Sequence, residues 1–335
     1  MVQVMEKQSS QQSVKQKKWL NPMQSPKLKR RWEMNEEDDF IPGQGSQYAG
    51  MAKDIYEQSP EGRTLLDEVF LNVDFDLKSI MFEEDERLNM TQYTQPALFA
   101  HSLAVLAATG LKGDVVLGHS LGELPALVHA GVITVKDGIS IVSKRGELMA
   151  QSEGGGMAAV IGMEYAPLKE LCDSLSDDQR KIQPANINAP DQIVISGDES
   201  LIDDFVEQGK SYGARRVMKL NVSGAFHSYL MEDAREAFAS FIKEIPFATP
   251  TIPVIQNVSA ASEMNPETIR AQLIDQLTHP VRFTESIQTA SEMGVGEAVE
   301  VGPKKVLSGL VRKIDRSISV SHIDTMAHVK ELENG

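Results

Sequence analysis

One serine in this sequence sits where a nucleophile would be made. Gly118-His119-Ser120-Leu121-Gly122 has the G-x-S-x-G spacing, with an apolar run, Val115-Val116-Leu117, before it and a helical pattern from Leu124 after it. A strand that turns sharply into a helix pushes the serine Oγ into the open, and glycines two residues either side leave room for that turn. The N–H groups that begin the helix are free to hold an oxyanion. Chemistry of this kind also needs a base, because a serine hydroxyl is a weak nucleophile until its proton is taken. Seven histidines are available. His101 and His129 lie within helical patterns. His119 neighbours the serine, but adjacent strand side chains point to opposite faces. His279 precedes a proline, and His322 and His328 lie near the C-terminus. His227 follows Ser223-Gly224-Ala225-Phe226 on a non-helical segment and precedes a helix, so it is the favoured base, with a core histidine as the alternative.

The elements needed to hold these residues are those of an α/β protein. After a Gly-rich turn, Gly43-Gln44-Gly45-Ser46-Gln47, helical patterns run over 50–70, 95–108, 124–130 and 135–151, with the 115–118 strand among them. Beyond Gly154-Gly155-Gly156 the order becomes strand, helix, strand, strand, helix, strand, to about residue 222. That is the ferredoxin-like order, and the length suits one inserted subdomain. Strands alternating with helices then resume, which indicates a parallel sheet. The expected fold is therefore α/β: a large parallel-sheet, α/β hydrolase-like core over 40–153 and 224–330, with a small ferredoxin-like subdomain over 154–223. Residues 1–39 read as a disordered or artefactual tail.

Composition narrows the function classes. The 335 residues carry a formal charge of −15, which argues against broad nucleic-acid binding. Residues 1–33 alone balance to +6, leaving −21 on the remainder. No stretch approaches the ~20 apolar residues of a membrane span, and no signal-peptide core opens the chain. The single cysteine, Cys172, excludes an internal disulfide and suits a reducing cytoplasm. No metal constellation, P-loop or dinucleotide fingerprint is visible.

Six motifs in order carry a resemblance: Gly43-Gln44-Gly45-Ser46-Gln47, Thr94-Gln95-Pro96-Ala97, Gly118 to Glu123, Lys144-Arg145-Gly146, Gly224-Ala225-Phe226-His227-Ser228 and Val301-Gly302-Pro303. From about Phe40 to Asp324 the chain resembles the malonyl-CoA:acyl-carrier-protein transacylases of type II fatty acid synthesis and the related polyketide acyltransferases. The resemblance implies ping-pong transfer of malonyl from malonyl-CoA, through an ester on Ser120, to the phosphopantetheine thiol of acyl carrier protein. No cofactor is implied, and the expected form is a cytoplasmic monomer. It implies that the backbone carbonyl of Gln276 orients His227, that the N–H groups of Gln44 and Leu121 form the oxyanion hole, and that Gln95 shapes the site. Arg145 would bind the malonyl carboxylate with its bidentate fork. Phe226 would narrow the pocket beside C2.

The sequence also departs from that pattern. The first strand of the family is apolar, whereas here Glu36-Glu37-Asp38-Asp39 precede Phe40. A buried parallel strand should not carry four consecutive acids. The first strand is therefore expected to be lost or off the sheet, leaving the seating of Gln44 open. Lys304 replaces a usual glycine after Gly302-Pro303, so that turn is expected to be reshaped. Because acyl carrier proteins are acidic, a local basic patch must override the net charge. Arg215, Arg216 and Lys219 are one candidate cluster; Lys304, Lys305, Arg312 and Lys313 are another. A hydrolase of stalled acyl groups and a non-catalytic scaffold are the competing classes.

Overall fold

The computed structural model describes residues 38–152 and 154–334. Of the expected tail over 1–39, residues 1–37 lie outside the described residues, and Asp38 and Asp39 belong to a strand instead. In chain order the elements are β1 (Asp38–Ile41), α1 (Lys53–Gln58), α2 (Pro60–Leu71), α3 (Leu77–Phe82), α4 (Thr91–Thr109), β2 (Val116–Gly118), α5 (Glu123–His129) and α6 (Val135–Gln151). Then follow β3 (Gly156–Ile161), α7 (Tyr165–Leu175), β4 (Ile182–Ala189), β5 (Gln192–Gly197), α8 (Glu199–Gln208) and β6 (Arg216–Lys219). The chain closes with α9 (Glu232–Ile242), β7 (Val254–Ile255), β8 (Ser262–Glu263), α10 (Pro266–Asp275), α11 (Phe283–Glu292), β9 (Glu297–Val301), α12 (Leu307–Ile314), β10 (Ser319–Ile323) and α13 (Met326–Asn334).

The fold is mixed α/β with two sheets. The larger has the order β10-β9-β1-β2-β7-β8 and is parallel except for β8, which pairs antiparallel to β7. The smaller, antiparallel throughout, has the order β4-β5-β3-β6. Successive strand residues supply opposite faces of the large sheet. Ile41 and Val116 join one apolar cluster, and Phe40 and Leu117 join the other. The small sheet has a separate core around Val160, Ile193, Ile195 and Phe205. The pattern expected over 50–70 is two helices rather than one. Pro60 starts α2 at a position where its missing N–H costs nothing, and the Ser59 side chain accepts from Gly62 N–H.

The expectation of a lost first strand is overturned. β1 forms inside the large sheet, between β2 and β9, with Asp39 opposite Val116 and Ile41 opposite Gly118. Two of the four acids, Asp38 and Asp39, lie within the described strand, each beside a polar group. Asp38 Oδ1 accepts the Val115 N–H at 2.6 Å. Asp39 Oδ2 lies 2.9 Å from His129 Nε2. Phe40 and Ile41 are fully buried and anchor the strand. At the Gly302 turn Lys304 adopts φ +61°, the left-handed conformation that glycine takes easily and other residues take at a cost.

Burial raises the Asp38 carboxyl to about 6. Its folded-state value thus exceeds the unfolded one, so the folded state binds the proton more tightly. The resulting destabilisation is absent below about pH 4 and complete above about pH 6. Asp38→Asn keeps an acceptor for Val115 and removes the charge. Thermal unfolding should show the variant a few degrees more stable than the parent at about pH 8 and level with it at about pH 4.

Candidate active site

β2 ends at Gly118, and a single 3₁₀ turn, Ser120–Gly122, leads into α5. The bend is too tight for side chains at either glycine. A Cβ on Gly118 would lie 1.9 Å from the Gly122 carbonyl carbon, and one on Gly122 would lie 2.1 Å from Ile41 O. Ser120 itself has φ +52°, strained for a residue with a Cβ. The strain is held by bonds from distant parts of the chain. Asn257, just after β7, accepts the Ser120 N–H on Oδ1 at 2.7 Å and donates from Nδ2 to Gly118 O at 2.6 Å. Gln276 Nε2 donates to Ser120 O at 3.1 Å.

His227 also has a positive φ, +58°, and is buried. Its Nε2 lies 2.8 Å from Ser120 Oγ, and its Nδ1 lies 2.7 Å from the Gln276 backbone oxygen. A carbonyl can only accept, so Nδ1 carries the hydrogen and Nε2 presents its lone pair to the serine. Gln183 Nε2, from β4, donates to His227 O at 3.1 Å and steadies the loop. Burial, and then the charge of Arg145, lower the imidazole to about 3, so it is neutral at physiological pH. The other six histidines are engaged elsewhere. His119 Nε2 lies 2.7 Å from Asn188 Oδ1, while His101 and His129 face Asp324 and Asp39. His279, His322 and His328 contact backbone groups.

Arg145, on α6, is 1% exposed. Its Nη1 donates to Gln95 Oε1 at 2.6 Å, and its Nη2 reaches Gln276 Oε1 at 2.8 Å and Ser120 Oγ at 3.2 Å. None of these acceptors is charged, and among the described residues no carboxylate pairs with it. Burial lowers the guanidinium to about 10, against the raising influence of Glu123, so it stays charged at neutral pH. α6 can approach because Gly146 lies flat on α4: a Cβ there would sit 3.1 Å from Gln92 Cα.

Gln44 lies on the turn after β1, which packs on the elbow; a Cβ on Gly43 would meet His119 O at 2.6 Å. Its side chain donates to Thr91 Oγ1 at 3.3 Å, and that hydroxyl lies 3.0 Å from Ser223 Oγ. Leu121 N–H falls in the first turn after the strand, between Ser120 N–H, taken by Asn257, and Gly122 N–H, taken by His119 O at 3.0 Å. Phe226 and Leu121 are both buried. The site thus brings together Ser120, His227, Gln276, Arg145 and Gln95, with Gln44 on the turn against the elbow. Asn257, Gln183 and the Glu123 carboxylate were missed. Asn257 and Gln183 belong to no motif, and Glu123 closes one but announces no role. Among the described residues, no group of three or more His, Cys, Asp or Glu could hold a metal ion.

Fold and site together define an α/β protein with a serine on a strand–turn–helix elbow and a histidine oriented by a backbone carbonyl. Residues 40–332 match the acyl transferase domain family, and the chain belongs to that family. It is 46% identical over 296 residues to a malonyl CoA-acyl carrier protein transacylase of Staphylococcus aureus (strain MRSA252), covering 87% of this chain and 96% of that one. A solved acyl carrier protein S-malonyltransferase from Vibrio cholerae superposes with a TM-score of 0.85 at 36% identity, over 89% of this chain and all of the other. A malonyl-transacylase solved in complex with its type II polyketide acyl-carrier protein also gives 0.85, at 35% identity over 90% of this chain and all of that one.

Asn257→Ala should lose both elbow bonds while leaving Ser120 and His227 in the sequence. The expected result is a drop in Ser120 acylation rate of more than about tenfold, with a stability loss of about 2 kcal/mol. Single-turnover loading and denaturant unfolding measure the two.

Proposed function

We propose that this acyltransferase moves malonyl from malonyl-CoA to the phosphopantetheine thiol of acyl carrier protein, supplying fatty acid synthesis. The observation that carries the reading is Arg145: a buried guanidinium, hydrogen-bonded to the nucleophile and, among the described residues, in direct contact with no carboxylate. A charge held this way favours an acyl group that brings an anion.

In the first half-reaction His227 Nε2 takes the Ser120 proton as Oγ attacks the thioester carbonyl. The N–H groups of Leu121 and Gln44 receive the oxyanion. The tetrahedral centre collapses, the C–S bond breaks, and His227 returns its proton to the CoA sulfur. In the second half-reaction the carrier thiol gives its proton to His227 and attacks the Ser120 ester, and Ser120 leaves as the hydroxyl. Gln276 O holds the imidazole in one tautomer through both halves, so no carboxylate is needed behind it. Gln95 orients the guanidinium, and Phe226 narrows the pocket beside C2. The chemistry as written uses no cofactor.

We read the four-stranded sheet and its two helices, residues 154–223, as a ferredoxin-like subdomain inserted into a hydrolase-like core over 40–153 and 224–330. The strand order β4-β5-β3-β6 supports this. A cytoplasmic location goes with the reaction; no helix among the described residues is long and apolar enough to cross a membrane. For the carrier protein we favour docking at Lys304 and Lys305. Both are exposed, on the turn whose Gly302 packs against Pro42. In the other cluster Lys219 is taken by Glu199 and Asp203, and Arg215 faces Asp191.

Loading of the parent and of Arg145→Ala with malonyl-CoA and acetyl-CoA tests the reading. Losing a charge-assisted pair worth roughly 1.5–3 kcal/mol should cut malonyl loading about 10- to 100-fold relative to acetyl. Unchanged preference in the variant would reject the role of Arg145.

A further inference from the structure

Glu123 opens α5 directly behind the elbow, and its side chain turns into the protein, leaving the residue 1% exposed. A carboxylate so buried is costly unless charge or several donors offset it. Oε2 accepts from Asn257 N–H at 2.9 Å and from Gln276 Nε2 at 3.0 Å, while Oε1 has no hydrogen-bond partner among the described residues. The charged group acting on it is Arg145. One amide lies between them: Gln276 turns its nitrogen to Glu123 and its oxygen to Arg145. A carboxylate can only accept, so it dictates which end of that amide faces the guanidinium.

We propose that Glu123 is a positioning residue for carboxylate selectivity: it is the resident counter-ion of Arg145 across the Gln276 amide, and it takes up a proton when the carboxylate of the substrate replaces it in that role. This rests on the malonyl reading above. Two carboxylates facing one guanidinium in a dry site favour holding one proton between them. The proton comes from solvent, and the only bond made is O–H. The other groups around Glu123 do not compete for it. Asn257 and Gln276 are uncharged. His227 lies beyond Ser120 and His119 before it, and burial keeps both neutral.

Burial raises Glu123 to about 7, against lowering by Asn257, Gln276 and Arg145. A malonyl carboxylate on Arg145 cancels the last of these and adds a negative charge, so the group rises further. Below about pH 7 the free protein already carries the proton and malonyl binds at full strength. Above it each binding event must take up a proton, and affinity falls by a factor approaching about tenfold per pH unit. An uncharged acyl group has no such dependence.

The experiment is steady-state transfer by the full chain from malonyl-CoA and from acetyl-CoA to the phosphopantetheine thiol of a carrier protein held in excess, from about pH 6 to about pH 9, for the parent and for Glu123→Gln. In the parent, the malonyl KM should climb above about pH 7 with kcat little changed, while the acetyl KM keeps its own shallower profile. Glu123→Gln should flatten the malonyl slope. Malonyl preference with parallel malonyl and acetyl profiles in the parent would overturn the role of Glu123 alone, and this arm needs no variant to fold. An unchanged malonyl slope in Glu123→Gln would overturn it too. Equal transfer from the two thioesters at every pH would overturn the malonyl reading, and this one with it.

Discussion

The guanidinium of Arg145 is surrounded by protein and bonded to two amide oxygens and a hydroxyl. Neutral dipoles offset part of the cost of burying that charge, and the rest of the site is arranged around the remainder. Gln95 and Gln276 must turn their oxygens inward, which fixes their nitrogens outward. On Gln276 that nitrogen meets the Ser120 carbonyl and Glu123. The same residue presents its backbone oxygen to His227. One glutamine therefore ties the Arg145 guanidinium to the imidazole that faces Ser120.

This arrangement draws on widely separated parts of the chain. The elbow follows β2, Arg145 comes from α6, His227 comes after β6, Asn257 follows β7 and Gln276 follows α10. β4 adds a hold from the second sheet: Gln183 reaches His227, and Ile187 and Ala185 pair with Val281 just beyond Gln276. The strained φ values of Ser120 and His227 persist because bonds on both sides over-determine them.

Much of the site was legible because its residues sit in motifs whose spacing has a steric cause. Gly118 and Gly122 are where a Cβ would collide, and Ser120 lies between them. The choice of His227 followed from its non-helical segment, and the six histidines set aside do face other partners. Arg145 was legible only through the resemblance, since an arginine in a helix reads alone as a surface residue. Asn257 and Gln183 could not be found: their roles arise from sheet topology, which brings them beside the elbow with no local signal. β1 was misjudged because the rule against acids in a buried strand ignores the polar groups that the sheet can place beside them. Asp38 takes a loose backbone donor and Asp39 meets a histidine contributed by the end of α5. β10 and α13 were missed as well; β10 lies at the sheet edge, and its Ser319-Val320-Ser321-His322 run is polar enough to pass for loop.

The central claim is that Ser120 carries a malonyl ester between two half-reactions. Intact-mass measurement of the protein mixed with malonyl-CoA, before and after addition of the phosphopantetheine-bearing carrier protein, tests it most directly. The account predicts a mass gain of one malonyl group, mapped to the peptide holding Ser120, absent in Ser120→Ala and discharged when the carrier protein is added. A protein that forms malonyl carrier protein without ever gaining that mass, or that carries the group in Ser120→Ala, would contradict it.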